Sequence, residues 1–510
     1  MIRQLPRKAI LLLPALLALL LTGCAGQQQV AVPKSESVVS GQAEHLETSF
    51  ENTLAPLEAA GGTVGISVRD HDGEQVFSHN GDRFLMPASV QKLCVAADVL
   101  LHFPPGKQLQ TLVYTTGPID SHGTVQGDLV VVGGWDPSLS GRVPYNDWPW
   151  VHFRAWAELL AAQGVHSIAG DLVGVGRRFT PGGWELSDLT ERYAPVISQL
   201  TWNDGLLATL NTPIDIGEGL QRDYYREVVP DRAWWTVDYT RLRTPGSPIT
   251  GNEPDTALFH NQWLPSLPHR LGGFEEPTRY WHPVPDPRRL SMDALRQALR
   301  NARIEGGDST RVAATAPDRP EDVATIGLVH RSAPIDSLVR AMLVASSNHW
   351  AEMLSALVQE HLGTPIDAYD PRWKQTLGAL GVDTTGVRRV DACGMARRNH
   401  MQPESVTELL TVAWKRWDAR WSDLLARPLE PRASLGGRLA RFEKRLLLKT
   451  GTLSRAYSLA GYILDRDGKP QYSFTIMCNF APQPYSEQIE RIDAFVAAMV
   501  EQYDRTGGLQ

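Results

Sequence analysis

Cysteine is scarce. Four occur in 510 residues, at positions 24, 94, 393 and 478, and no two form a C-x-x-C pair. That spacing excludes a cysteine-based zinc or dithiol redox motif and, with Cys24 set aside for the reason given below, leaves room for at most one disulfide. No His/Asp/Glu cluster has zinc spacing, and neither a P-loop nor a dinucleotide fingerprint occurs. Like charges do not run together, and the formal charge of −7 becomes −10 once Arg3, Arg7 and Lys8 are removed with the first 23 residues. A nucleic-acid partner is therefore not expected. The apolar run from Ala9 to Leu21 is shorter than a bilayer requires.

What the chain start does contain is a basic stretch, a short apolar core and the residues Leu21-Thr22-Gly23-Cys24. This is the pattern of an export signal over residues 1–23. Leu-Thr-Gly-Cys resembles a bacterial lipobox, in which the cysteine becomes the lipidated first residue; a plain signal peptide with an incidental cysteine is the alternative. Ala25 follows the cysteine, not the aspartate that the resemblance links to inner-membrane retention. The expectation is a lipoprotein anchored through Cys24 to the outer membrane and facing the periplasm. Residues 24–45, rich in Gln, Ser, Val and Glu without helical or strand period, read as its tether.

The remaining chain is 42% hydrophobic when counted over the whole sequence, ample for sizeable cores. Thr63 to Asp70 alternate like a strand, Asp72-Gly73 turns the chain, and Glu74 to His79 return toward a second turn at Asn80-Gly81. Leu446 to Leu453, Ser458 to Leu464 and Gln471 to Asn479 read as three further strands, expected to share one sheet with the first hairpin. Cys478, alternating with Tyr472, Phe474, Ile476 and Phe480, reads as a small buried hydrophobe. Ile489, Ile492, Val496 and Met499 give the end of the chain a helical stripe. If both ends build one layer, residues 106–318, with short strands, many turns and one clear helix at Arg154 to Gln163, form an insertion. Trp148, Trp150 and Trp156 could stack on a sugar, but a local core is the simpler reading, and Trp234-Trp235 is equally open.

Three short stretches carry chemistry. Ser89-Val90-Gln91-Lys92 follows Pro87 at a predicted helix start, where Val90, Leu93, Ala97 and Leu100 form an apolar stripe. Residues three apart on a helix are neighbours, so a lysine amine reaches the serine oxygen. A serine hydroxyl needs such a base, and a lysine can be one only if its surroundings lower its pKa. Ser346-Ser347-Asn348 lies between helical patterns at Pro334 to Ala345 and His349 to His361, where helix caps would account for it as well as catalysis would. Lys449-Thr450-Gly451-Thr452 ends an apolar strand. A solvated strand terminus is the usual reading of such a lysine, but here a hydroxyl and a glycine that permits close backbone approach follow it.

The order Ser-x-x-Lys, Ser-x-Asn, Lys-Thr-Gly resembles the penicillin-binding proteins and serine β-lactamases. With Ser346 lying 257 positions after Ser89, the chain is similar to the class C low-molecular-mass penicillin-binding proteins, the D-alanyl-D-alanine carboxypeptidase/endopeptidase family. Gly133-Gly134-Trp135-Asp136-Pro137, Trp202-Asn203-Asp204, Ala351-Glu352-Met353-Leu354 and Leu459-Ala460-Gly461-Tyr462 are also similar to segments of that family. The resemblance implies an α+β penicillin-binding-protein/serine β-lactamase-like fold, an antiparallel sheet flanked by helices. Residues 46–105 and 319–510 would form the catalytic domain, and the mostly-β insertion 106–318 two small domains.

It further implies that Ser89 attacks a D-Ala-D-Ala or D-Ala-diaminopimelate bond, that Lys92 is its base, and that Ser346 relays a proton to the leaving amine. Asn348 would orient Lys92 and a substrate amide. Lys449 with Thr450 or Thr452 would hold the terminal carboxylate, Gly451 would allow the close approach, and the N–H groups of Ser89 and Thr452 would form the oxyanion hole. No cofactor or metal is called for; the implied partners are peptidoglycan stem peptides and cross-links, β-lactams as covalent inhibitors, and a membrane through the N-terminal lipid. Two departures stand out: Ser347 where the family commonly has aspartate, and Asp391-Ala392-Cys393-Gly394 in place of Asp-Gly-Ser-Gly. A Cys393 nucleophile has no evident histidine partner. The competing readings are a β-lactam or ester hydrolase on the same fold and a non-catalytic peptidoglycan-binding lipoprotein.

Overall fold

The computed structural model describes residues 43–140, 150–189, 191–214, 223–229, 278–317, 327–366 and 368–509. The export signal, Cys24 and all but the end of the tether lie outside the described residues, as do Trp148, Trp234 and Trp235.

The two ends of the chain build one sheet. Its order is Leu446–Leu453, Ala456–Leu464, Pro470–Asn479, Thr63–Asp70, Gln75–His79, antiparallel throughout. Thr63 pairs with Asn479 and Asp70 with Tyr472, so the first hairpin extends the last three strands in continuous register. Side chains alternate across a strand, and the sheet uses both faces. Leu446, Leu448, Leu459, Ile463, Phe474 and Ile476 join Phe495, Val496 and Met499 of the closing helix Tyr485–Thr506 in one core. Leu447, Ala460, Tyr462 and Met477 join the opposite core, against Leu93, Val99 and Leu409. Lys449 and Gly451 therefore stand on the face of Leu447, toward the segment that carries Ser89.

That segment is less regular and more deeply enclosed than its stripe suggests. Ala88–Gln91 forms a 3₁₀ turn and the α-helix runs only from Lys92 to His102. Every residue from Lys92 to Leu100 is buried, not one face alone, because Asn348–His361, Ile335–Ala345 and Tyr369–Ala379 surround the helix. The expected stripe was the minimum that such a position requires. The turn itself is tight, with Ala88 at φ +49°. A second difference concerns Phe480, which leaves the face of Cys478: the strand ends at Asn479, and Phe480 has φ +61° and is 56% exposed. Cys478 is fully buried.

Within residues 106–318 the main sheet is mixed. Leu129–Val132, Leu172–Val175 and Thr310–Ala313 run parallel, and Gln108–Thr115 lies antiparallel beside the first. Parallel neighbours need crossovers, and here helices Val151–Ala162 and Pro287–Asn301 supply them. Strand Gly327–Pro334, which follows the expected end of the insertion, completes the sheet on Gln108–Thr115. Trp156 is buried among Phe153, Leu160 and Trp202, and Trp150 packs against Trp202 with ring centroids 4.9 Å apart.

Tyr462 ties the sheet to the helices over it. Its hydroxyl donates to the Leu410 carbonyl at 2.6 Å and accepts the Trp421 indole N–H at 2.8 Å, all in buried surroundings. Tyr462→Phe keeps the volume but orphans the indole N–H, so chemical denaturation is expected to show a loss of about 1–3 kcal/mol. An unchanged midpoint would contradict this account of the layer contact.

Candidate active site

The register just described brings three distant stretches onto one amine. Lys92 Nζ lies 2.7 Å from Ser89 Oγ, 2.8 Å from Asn348 Oδ1 and 2.7 Å from the carbonyl oxygen of Cys393. An ammonium has three N–H donors, and these three acceptors use all of them. Two of the three are carbonyl oxygens, which only accept. When Lys92 is neutral its two N–H bonds must serve Asn348 and Cys393, so its lone pair is left facing the Ser89 hydroxyl. The direction of the Asn348 amide follows from its other end, where Nδ2 donates to the Tyr193 carbonyl at 2.9 Å.

Ser346, Ser347 and Asn348 sit where helix Ile335–Ala345 stops and helix Asn348–His361 starts. Ser346 takes the left-handed conformation at φ +56°, which closes the first helix and turns the chain. Ser347 is the N-cap of the second, accepting the Trp350 N–H at 3.3 Å. The capping account thus applies to the middle residue, while Ser346 and Asn348 meet the two lysines. Lys449 Nζ donates to Ser346 Oγ at 2.9 Å and to the Thr450 carbonyl at 2.7 Å. It is 1% exposed, so it is no solvated strand end.

Gly451 faces the Ser89 turn: a Cβ there would lie 2.8 Å from the Pro87 carbonyl oxygen and 3.1 Å from Val90 N. Thr450 turns to the other side of the strand, where its hydroxyl meets Ser434 Oγ at 2.6 Å, and Thr452 is exposed. Beside Ser346 and Asn348 lies a cavity of about 280 Å³, lined also by Arg192, Tyr193 and His349.

Burial dominates the electrostatics. It lowers the Lys92 pKa, opposed by the nearby Asp391 and Glu352 carboxylates. It lowers that of Lys449 well below the usual lysine value, and the positive charge of Lys92 adds to the effect. Among the described residues no carboxylate meets the Lys449 amine. Two buried ammonium groups repel, so whatever neutralises one site makes the other easier to charge.

Other residues support this site through contacts that the sequence did not show. Gln91 Nε2 donates to the Asp391 carbonyl at 2.8 Å. Asp391 Oδ1 accepts from Gly394 N and Asn399 Nδ2, and Oδ2 from Ala396 N and Trp184 Nε1. Glu352 Oε1 accepts from the N–H groups of Ala392 and Cys393. Glu352, Asp391 and Cys393 are also the set, among the described residues, whose spacing could hold a metal. Their carboxylate oxygens are already filled by those donors, and Lys92 beside them disfavours a cation. Cys393 meets Lys92 through its carbonyl, while burial pushes its thiol well above the ordinary cysteine range.

The family model of the D-Ala-D-Ala carboxypeptidase 3 (S13) family matches residues 46–499. A D-alanyl-D-alanine carboxypeptidase of Actinomadura sp. is 26% identical over 503 aligned positions, covering 92% of this chain and 87% of that protein. D-alanyl-D-alanine carboxypeptidase DacB of Haemophilus influenzae is 23% identical, covering 80% and 84%. The crystal structure of penicillin binding protein 4 from H. influenzae covers 90% of this chain and 98% of its own, with TM-score 0.65 and 18% identity. That likeness establishes the penicillin-binding-protein-like α+β fold.

Cys94, Cys393 and Cys478 are all buried and free. In the native protein from residue 25 onward, a thiol reagent is expected to find no fast-reacting cysteine, and in denaturant to label all three. Rapid native labelling at Cys393 would contradict the placement of its thiol.

Proposed function

The chain belongs to the D-Ala-D-Ala carboxypeptidase 3 (S13) family, and from that premise we propose that it is a serine DD-peptidase of peptidoglycan that works through an acyl-enzyme on Ser89. The observation that carries this reading is the placement of Lys92 Nζ, whose two carbonyl partners leave its third direction to Ser89 Oγ.

In the first step Ser89 Oγ bonds to the substrate's D-Ala carbonyl carbon while its proton passes to Lys92. The N–H groups of Ser89 and Thr452 receive the developing oxyanion, each contributing about 3 kcal/mol when preorganised. Ser346 relays to the departing amine the proton that Lys92 took from Ser89, and water then releases the acyl group by the reverse route, giving its own proton to Lys92 and back to Ser89. Lys449 supplies the reason that a terminal carboxylate matters. It is buried without a counter-charge, and an arriving carboxylate provides one. Lys449 then holds its proton, and repulsion between the two amines favours the free base at Lys92. Thr452 is exposed and open to the same carboxylate, whereas the buried Thr450 hydroxyl is bonded to Ser434.

β-Lactams enter by the same attack and stay bound where hydrolysis of the acyl-enzyme is slow. Fast β-lactam hydrolysis would need a second base at the acyl bond, and Glu352, the buried glutamate nearest in the chain to Asn348, is occupied by backbone N–H groups. The export pattern and Cys24 support placing the enzyme in the periplasm as an outer-membrane lipoprotein, with cell-wall stem peptides and cross-links as substrates.

Digestion of purified muropeptides tests this reading. The protein is expected to release D-Ala or open D-Ala-diaminopimelate cross-links, and Ser89→Ala to do neither. A folded wild-type protein with no such product would overturn it. Converting the substrate's terminal carboxylate to an amide is expected to lower kcat/KM about 100-fold, the loss of one charged hydrogen bond. Equal turnover of acid and amide would remove Lys449 from carboxylate binding.

A further inference from the structure

Behind the reacting groups lies a carboxylate that the reaction as described never touches. Glu352 stands one helical turn after Asn348, so the two side chains leave the same face of helix Asn348–His361. Glu352 is fully buried, and among the described residues it has no ion-pair partner within 4.0 Å. Its Oε1 accepts the N–H groups of Ala392 and Cys393 at 2.8 Å each, and its Oε2 accepts the Tyr369 hydroxyl at 2.9 Å. The Cys393 carbonyl, on the residue so held, is the one that accepts from Lys92 Nζ at 2.7 Å.

A glutamine could make all three contacts. Its oxygen would accept the same two N–H groups, and its amide nitrogen would donate to the Tyr369 oxygen. Burying a carboxylate costs several kcal/mol more than burying an amide unless cations nearby offset it, and the buried cations that act on Glu352 are Lys92 and Arg389. The hydrogen-bond geometry therefore accounts for a polar group at this position but not for a negative charge. The charge has one reacting neighbour on which to act, which is Lys92.

We propose that Glu352 is a positioning residue for the reaction: it fixes the Cys393 carbonyl against Lys92, and its negative charge sets the pH at which Lys92 becomes the free amine that activates Ser89. This rests on the reading of Ser89 and Lys92 as nucleophile and base. The other groups facing Lys92 have definite signs. Asp391 on the 391–394 loop adds negative charge, and Lys449 on the sheet adds positive charge. The Cys393 thiol is held neutral by burial, and Arg389, stacked 3.7 Å from the Trp373 ring centre, faces the same two carboxylates from behind. Removing the Glu352 charge leaves the effect of burial less opposed, so Lys92 gives up its proton at lower pH. Burial, with Asp391 adding to it, pushes Glu352 itself up to about 7. As pH falls through that value Glu352 takes a proton and loosens its hold on that of Lys92, which broadens the acid limb of the wild-type reaction.

The test is the rate of Ser89 acylation by a fluorescent penicillin as a function of pH, on the chain from residue 25 onward, with thermal unfolding of each variant alongside. Glu352→Gln is expected to fold and to move the acid limb about one unit toward lower pH, with a steeper slope. Glu352→Asp, whose shorter side chain withdraws from the loop, is expected to lose at least tenfold in rate at every pH. Tyr369→Phe removes one donor from the carboxylate without touching the loop; it is expected to move the limb in the same direction but less, and it carries the test if Glu352→Gln does not fold. Acylation limbs that coincide with wild type in the folded variants would overturn the inference and leave the Ser89 reading intact, whatever happens to stability. A wild-type protein that is not acylated at Ser89 would overturn both.

Discussion

Three acceptors around one buried amine organise this protein. Two of the partners of Lys92 are carbonyl oxygens, and that chemical restriction aims the third direction at Ser89. Each partner comes from a different part of the chain, and each is delivered by a local feature. The 3₁₀ turn at Ala88–Gln91 sets Ser89 one turn from Lys92, and the helix start at Asn348 presents its amide. The 391–394 loop presents a main-chain oxygen whose position is fixed by Asp391 and Glu352. Gly451 completes the arrangement by letting the edge strand approach the Ser89 turn more closely than any side chain would permit.

The same enclosure explains why two lysines can work at close quarters. Burial lowers both, and the charge of Lys92 lowers Lys449 further. The protein surrounds Lys92 with carboxylates one loop away but gives Lys449 none. In the proposed mechanism a substrate carboxylate would fill that imbalance and so couple recognition of the chain terminus to activation of the nucleophile. Ser346 lies between these functions, bonded to Lys449 and adjacent to the helix that carries Asn348.

Much of this was legible in the sequence where residue type and local pattern decide the outcome. The first hairpin and the last three strands were readable from alternation and turn residues, and they share one sheet. The three stretches around Ser89, Ser346 and Lys449 were readable from side-chain chemistry, and the structure brings them together. The supporting shell was not. The carbonyls of Cys393 and Tyr193 contact the site as main-chain oxygens, which every residue has, so no residue type marks them. Glu352 sat within a family-like segment but showed nothing of the loop it would meet. Helix Pro287–Asn301 was announced by Asp286, which caps it, and by Pro287 in its first turn, yet the surrounding turns and short strands obscured that signal. Thr450 illustrates the remaining gap: strand alternation turns it away from Lys449, toward a Ser434 that lies on a distant loop.

Ser89, poised by Lys92, is the proposed nucleophile. The most direct measurement is the intact mass of the chain from residue 25 onward after incubation with benzylpenicillin, followed by peptide mapping. The account predicts a single adduct on the peptide containing Ser89, retained in Cys393→Ala and absent from both Ser89→Ala and Lys92→Met. A folded wild-type protein without an adduct, or an adduct on another residue, would contradict it.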